Sequence, residues 1–127
     1  MKKPPTVPKR NDSFDLVREV GLTLPDVSVT TKYDGSQVLT RGGCFVAGLA
    51  THRSAEPDSL VVRYEIDERA WLIEDAPDIY YLTDYYRTYP LILARLSRLD
   101  RDALRDLLTV SWRLTAQKLP RPPARRA

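Results

Sequence analysis

The sequence predicts an α+β fold: a two-layer domain in which N- and C-terminal helices cover one face of an antiparallel sheet. Three observations carry this expectation. Glycine-bearing turns punctuate short apolar runs between residues 27 and 66. The run at residues 60–66 alternates, with Leu60, Val62, Tyr64 and Ile66 on one face and Val61, Arg63 and Glu65 on the other. A period of two with one charged face marks a half-buried antiparallel strand. The flanking segments carry apolar residues at helical spacing, which supplies the cover that such a sheet requires.

Taken in order, residues 1–12 hold three prolines and four basic residues and read as an extended arm. Asp12 or Ser13 can cap a first helix, with Asp15 near its positive end. Phe14, Val17, Gly21 and Leu24 form its apolar stripe, and Pro25 stops it. A β-meander follows, with strands expected at residues 27–33, 37–41, 44–51 and 60–66. Asp34-Gly35 and Gly42-Gly43 supply the positive φ of its tight turns. A longer loop at residues 52–59 contains Pro57. Residues 67–76 read as a short helix anchored by Trp71 and Leu72, with an acidic end at Glu74, Asp75 and Asp78. Residues 79–82 suit a short strand, residues 83–89 an aromatic loop, and residues 91–96 another strand, for which Pro90 is a tolerated start. Asp100 caps the longest helix, at about residues 101–118, with a stripe of Ala103, Leu107, Val110 and Leu114 flanked by Leu104 and Leu108. Residues 119–127 form a second arm of proline and arginine. The organisation is therefore arm 1–12, domain 13–118 and tail 119–127.

At 127 residues this is one domain with a small core. No apolar run is long enough to span a bilayer, so no membrane association is expected. Lys2 and Lys3 are not followed by an apolar stretch, so no signal peptide is expected either. A single cysteine, Cys44, excludes an internal disulfide and fits a reducing cytoplasm; on its strand it reads as a small buried hydrophobe. The chain has 20 basic and 17 acidic residues, and the basic excess lies in the ends. Residues 1–12 carry +3 and residues 118–127 carry +4, whereas residues 13–117 carry −4. An acidic body has no general attraction for a phosphate backbone, so any such binding needs a local patch or the arms.

Three blocks carry a family resemblance. The first is residues 17–27, ending Leu24-Pro25-Asp26-Val27. The second is Gly43-Cys44-Phe45-Val46-Ala47-Gly48-Leu49, followed by residues 60–64 and an acidic-start helix. The third is Tyr81-Leu82-Thr83-Asp84-Tyr85-Tyr86, then residues 91–96, then Leu104-Arg105-Asp106-Leu107-Leu108 and Ser111-Trp112-Arg113-Leu114. In this order and spacing the chain resembles the MmcQ/YjbR family over residues 13–118. The resemblance implies helices on one side of an antiparallel sheet, in outline like secretion chaperones, and DNA binding through a double wing of hairpins. Many members carry a His and a Trp before the last helix. Here that region reads Tyr85-Tyr86 and Leu91-Ile92-Leu93, so any role of those two residues does not transfer.

Two surfaces are candidates for function. The first is basic: Lys32, Arg41, Arg53, Arg63 and Arg95, with the arms, are placed to contact phosphate from the hairpins and the open sheet face. The bland alternative is a solvated face with Arg63 beside Glu65. The second is aromatic: Tyr80, Tyr81, Tyr85, Tyr86 and Tyr89, with Arg87 among them, suit base stacking or the centre of a protein interface. A small-ligand pocket under Tyr85 and Tyr86 is a further option, and alternate burial is the bland one. One histidine, His52, and one cysteine do not make a zinc site, and no phosphate-binding loop or paired carboxylates are present. The expectation is a non-enzymatic protein without cofactor. DNA, bound nonspecifically, is its leading partner, and a protein-interaction module using the tyrosine-rich segment is the alternative.

Overall fold

The computed structural model describes residues 9–117, with side chains from Phe14 onward. The first helix, α1, runs Lys9–Gly21. It takes in the last residues of the stretch expected as an arm, so Asp12 and Ser13 lie inside the helix rather than capping it. Four strands follow: β1 (Val27–Thr31), β2 (Gln37–Arg41), β3 (Cys44–Leu49) and β4 (Ser59–Arg63). A 3-10 turn at Ile66–Glu68 leads into α2 (Arg69–Asp75), then the two-residue β5 (Tyr80–Tyr81), the single-turn helix α3 (Asp84–Arg87), β6 (Leu91–Arg95) and α4 (Arg101–Thr115). The residues expected as an aromatic loop thus contain a helix, with Asp84 in its first turn and Arg87 in its last.

All six strands form one antiparallel sheet in the order β1-β2-β3-β4-β6-β5. The β2–β3 turn pairs Arg41 with Cys44, and Gly42 (φ 57°) and Gly43 (φ 83°) adopt the left-handed conformation that a two-residue hairpin requires. The register shifts after Leu39, leaving Val46 as an extra residue in β3. This bulge places Val46 and Ala47 together in the main core and turns Phe45 to the opposite face.

That main core lies between the sheet and helices α1 and α4. Phe14, Val17 and Val20 of α1 and Leu104, Leu107 and Leu108 of α4 meet Leu39, Leu60, Val62 and Ile92. The approach of α1 is close: a Cβ on Gly21 would lie 2.3 Å from Leu39 Cδ1. The stripe of α4 is rotated from its expected centre. Leu104, Leu107, Leu108, Ser111 and Thr115 are its buried residues, and Ala103, Val110 and Leu114 are half-buried. Buried Ser111 accepts a hydrogen bond from the Arg63 amide (3.0 Å) and donates one to the Val46 carbonyl (2.6 Å), tying α4 to β3 and β4. Asp100 caps α4 by accepting from the Ala103 amide at 2.8 Å. Cys44 is half-buried rather than buried.

The second face of the sheet is not simply solvated. Val61, Leu93 and Tyr86 are buried there, with Phe45, Ala50, Ala55, Tyr81, Leu82 and Leu91 packed around them. Helix α3 and the loop between β3 and β4 form this partial second cover, and a cleft remains between them and the sheet. Among the described residues no helix is long and apolar enough to cross a membrane.

Candidate functional site

The cleft on the second face has a volume of about 570 Å³. Phe45, Val61 and Leu91 supply its apolar floor, Tyr85, Tyr86, Tyr89 and His52 its aromatic wall, and Lys32 and Arg63 its positive charge. Among the described residues no acidic side chain lines it. Size, apolar lining and a few placed polar groups are the ordinary attributes of a ligand cleft.

The wall is built by contacts distant in sequence. The His52 ring lies flat on Tyr85, with centroids 3.6 Å apart and planes 6° from parallel. Tyr86 stands edge-on to both rings, and Tyr89 is tilted against Tyr85 with centroids 5.9 Å apart. The His52 amide donates to Tyr86 Oη at 3.2 Å. The Ser54 amide donates to His52 Nδ1 at 3.1 Å, which makes Nδ1 an acceptor and leaves the proton of the neutral ring on Nε2. Ser54 Oγ then bonds Thr83 Oγ1 (2.8 Å), joining the loop to the start of α3. Burial pushes the Tyr86 phenol pKa up, so it remains a neutral hydroxyl that accepts from His52. Tyr81 pins the far end of the loop, accepting from the Glu56 amide at 2.8 Å and bonding Ser59 Oγ.

A buried arginine holds α3 in place from behind. Arg69 opens α2 and is 6% exposed. Its guanidinium donates to the carbonyls of Tyr89 (2.8 Å), Leu91 (3.1 Å) and Arg87 (2.9 Å), the connection between α3 and β6. Desolvation, then the nearby Arg87 charge, pulls its pKa below the ordinary arginine value.

The predicted basic residues do not form one stripe. Arg63 lies in the cleft, its Nε–H donating to the Phe45 carbonyl at 2.6 Å. Lys32 stands at the rim, and Arg53 is exposed on the loop beside His52. Among the described residues none of these three pairs with a carboxylate, so the Arg63–Glu65 pairing of the bland alternative is not formed. Arg41 points to the opposite side of the sheet. Its guanidinium sits 4.0 Å above the Trp112 ring centroid, and Nη1 donates to the Trp112 carbonyl at 3.0 Å. It therefore does not join Arg63, because the end of α4 supplies both a π-face and a carbonyl, shared with Thr115 Oγ1, that accepts from it. Arg95 does share the cleft's side of the sheet, but it is occupied. It meets Glu56 through two bonds of 2.8 Å, donates to the carbonyls of Pro77 and Asp78, and stacks over Tyr81. Hydrogen bonding to Glu56 raises its pKa and lowers that of the carboxylate.

Of the aromatic set, Tyr85 and Tyr86 are in the cleft, with Tyr89 beside them. Tyr80 faces the main core, Tyr81 braces the loop, and exposed Arg87 lies 3.7 Å from Asp84. The terminal arms, up to residue 8 and from 118, lie outside the described residues. Sequence reasoning missed Phe45 and the stacking role of His52. The signal for His52 was its place in a loop facing the tyrosines across the sheet, visible only once β4 and β6 are paired.

No family model matches the chain, and no solved structure matches it significantly. Over 47 residues it is 36% identical to uncharacterized proteins of Mycobacterium bovis and of two strains of Mycobacterium tuberculosis. That stretch is 37% of this chain. The chain spans 36% of the length of each of these relatives, so the similarity is to a segment of mycobacterial proteins and not to a whole protein of stated activity.

Proposed function

We propose that this chain is a non-enzymatic nucleic-acid-binding module that takes single strands, with an unstacked base in the cleft and phosphate at Lys32 and Arg63. The observation that carries this reading is the cleft's composition: five aromatic rings and two cations, with no acid among the described residues. Bases of any identity stack on such rings, and cations beside them follow the backbone. Reading of duplex grooves is less well supported, because Arg41 and Arg95 are engaged within the fold. MmcQ/YjbR membership remains part of the same proposal; a sheet with its main helices on one side is compatible with it.

The test is a salt titration of the full chain against a mixed single strand of about 12 nucleotides, a length within the usual site range, and against the same sequence as duplex. The single strand should bind more tightly. Tyr85→Ala should cost about 1–3 kcal/mol of single-strand affinity, as removal of a stacking ring does. Arg63→Ala should reduce the slope of log K against log salt by about 0.7. A free nucleoside monophosphate should compete if one base fills the cleft. Equal affinity for both forms, unmoved by Tyr85→Ala, would assign binding to the basic arms and sink the cleft reading.

The alternative is a protein-interaction module. The apolar floor of Phe45, Val61 and Leu91 favours it, since an aromatic side chain of a partner suits that floor as well as a base does. Loss of nucleotide competition with retained binding of a tyrosine- or tryptophan-bearing peptide identifies that case.

A further inference from the structure

A second surface, on the side of α2, carries features that neither the core nor the cleft explains. Trp71 is 77% exposed, and Ile66 nearby is 48% exposed. Acids surround them: Glu65, Asp67, Glu68, Glu74 and Asp75 are all exposed, and among the described residues none of them pairs with a cation. Trp71, Glu74 and Asp75 line one shallow concavity. The single cation within this stretch, Arg69, is buried and turned toward α3. Exposed Arg87 shares a neighbouring concavity with Ile66 and Glu74, but five acids to one exposed cation leave the face negative, and a bare indole there is a surface for a ligand of opposite charge that also packs on a ring.

The chain contains such a segment. Residues 118–127 read Lys-Leu-Pro-Arg-Pro-Pro-Ala-Arg-Arg-Ala, with four cations, three prolines and no acid. Proline rings pack on tryptophan faces, and arginines beside them pair with carboxylates at the rim of such grooves. Connectivity brings the two together. Gln117, the last described residue, lines one small crevice with Glu65, the residue from which the acidic stretch departs. From Glu65 to Trp71 the chain advances about 10 Å through the 3-10 turn and the start of α2. Ten extended residues span about 31 Å, so the tail reaches Trp71 without strain.

We propose that residues 118–127 dock in cis on the α2 face, with prolines against Trp71 and arginines against Glu74 and Asp75. The docked tail keeps its four cations away from any phosphate. This inference does not depend on the cleft, which lies on the side of α3.

The test uses the full chain and follows the Trp71 indole by NMR and by acrylamide quenching. Trp112 is separable, because its Nε1–H donates to the Pro25 carbonyl at 2.8 Å. Reversing the tail (R121E, R125E and R126E together) should shift the Trp71 indole resonance. Raising salt to about 1 M, where the screening length falls to ~3 Å, should raise the quenching slope of the unmodified chain about twofold. Reversing the face (E74R with D75R) should reproduce the shift, and combining both reversals should restore the original resonance. Four outcomes overturn the proposal: no shift on tail reversal, no rescue by the combined reversal, a shift that appears only on truncating residues 1–8, or a shift that depends on protein concentration, which would mark the tail of a second copy.

Discussion

Replacing Arg69 with methionine tests how the cleft wall is held. Arg69 donates three hydrogen bonds from a site with 6% exposure, all to carbonyls in the Arg87–Leu91 connection. Bonds from a charged donor contribute roughly 1.5–3 kcal/mol each, which sets a gross value of roughly 4–9 kcal/mol. Two effects oppose it. The guanidinium loses its hydration, and Arg87 repels it, as the lowered pKa of Arg69 records. Removing the guanidinium leaves three carbonyls without this donor, and a buried polar group left unpaired costs about 1–3 kcal/mol. Methionine fills much of the volume, so the lower end applies to the three carbonyls together, about 3 kcal/mol. For a domain of this size that is a fall in Tm of roughly 10–15 °C. Urea denaturation followed by far-UV and near-UV circular dichroism reads both parts of the effect. The near-UV tyrosine signal should weaken before global unfolding, since Tyr85, Tyr86 and Tyr89 lose the brace behind their helix. Arg69→Lys should recover only part of the stability, because an ammonium does not span three carbonyls as a planar fork does. A loss under about 1 kcal/mol with an unchanged tyrosine signal would refute the reasoning.

Gly21→Ala forces its Cβ to 2.3 Å from Leu39 Cδ1 and should destabilise by about 1–3 kcal/mol in chemical denaturation, as overpacking does. Ser111→Ala leaves the Arg63 amide and the Val46 carbonyl without their partner in a buried site, a cost of about 1–3 kcal/mol by the same measurement. Glu56 has its pKa lowered, chiefly by the Arg95 hydrogen bond. Its contribution is therefore present above the ordinary glutamate value and is lost as pH falls through the lowered one. Glu56→Gln should remove that acid-side loss from a stability–pH profile, and an NMR titration should place the carboxylate below its usual range.

Local chemistry made the meander legible. Gly42-Gly43, the alternation at Leu60–Tyr64 and the Asp100 cap each act over a few residues, and each produces the expected element. The expected stripe on α4 was displaced because Ser111 and Thr115 are buried by hydrogen bonding, not by apolar character. The cleft was only half legible. Its tyrosines stood out by composition, but the bulge that sends Phe45 there depends on the β2–β3 register. The basic residues misled for a similar reason. Arg41 looked free until Trp112, 71 residues on, came to lie beneath it, and Glu56 reaches Arg95 across 39 residues. Charge alone does not say whether an arginine faces solvent or serves as a clamp; the partner is set by topology.

The strand order has a consequence for the protein as it leaves the ribosome. The first four strands follow one another in space, but the next neighbour of β4 is β6, and β5 is made before β6 and placed outside it. Until β6 arrives, β4 is the edge of a nascent four-stranded sheet, and four of its five residues are buried in the finished molecule. Translation of residues 64–95 at ~5–20 residues per second leaves that edge open for roughly 2–6 s. The stretch made in this interval is the acidic one, Glu65 to Asp78. Its like charges repel another nascent chain at the moment when an unpaired apolar strand is most prone to find the wrong partner.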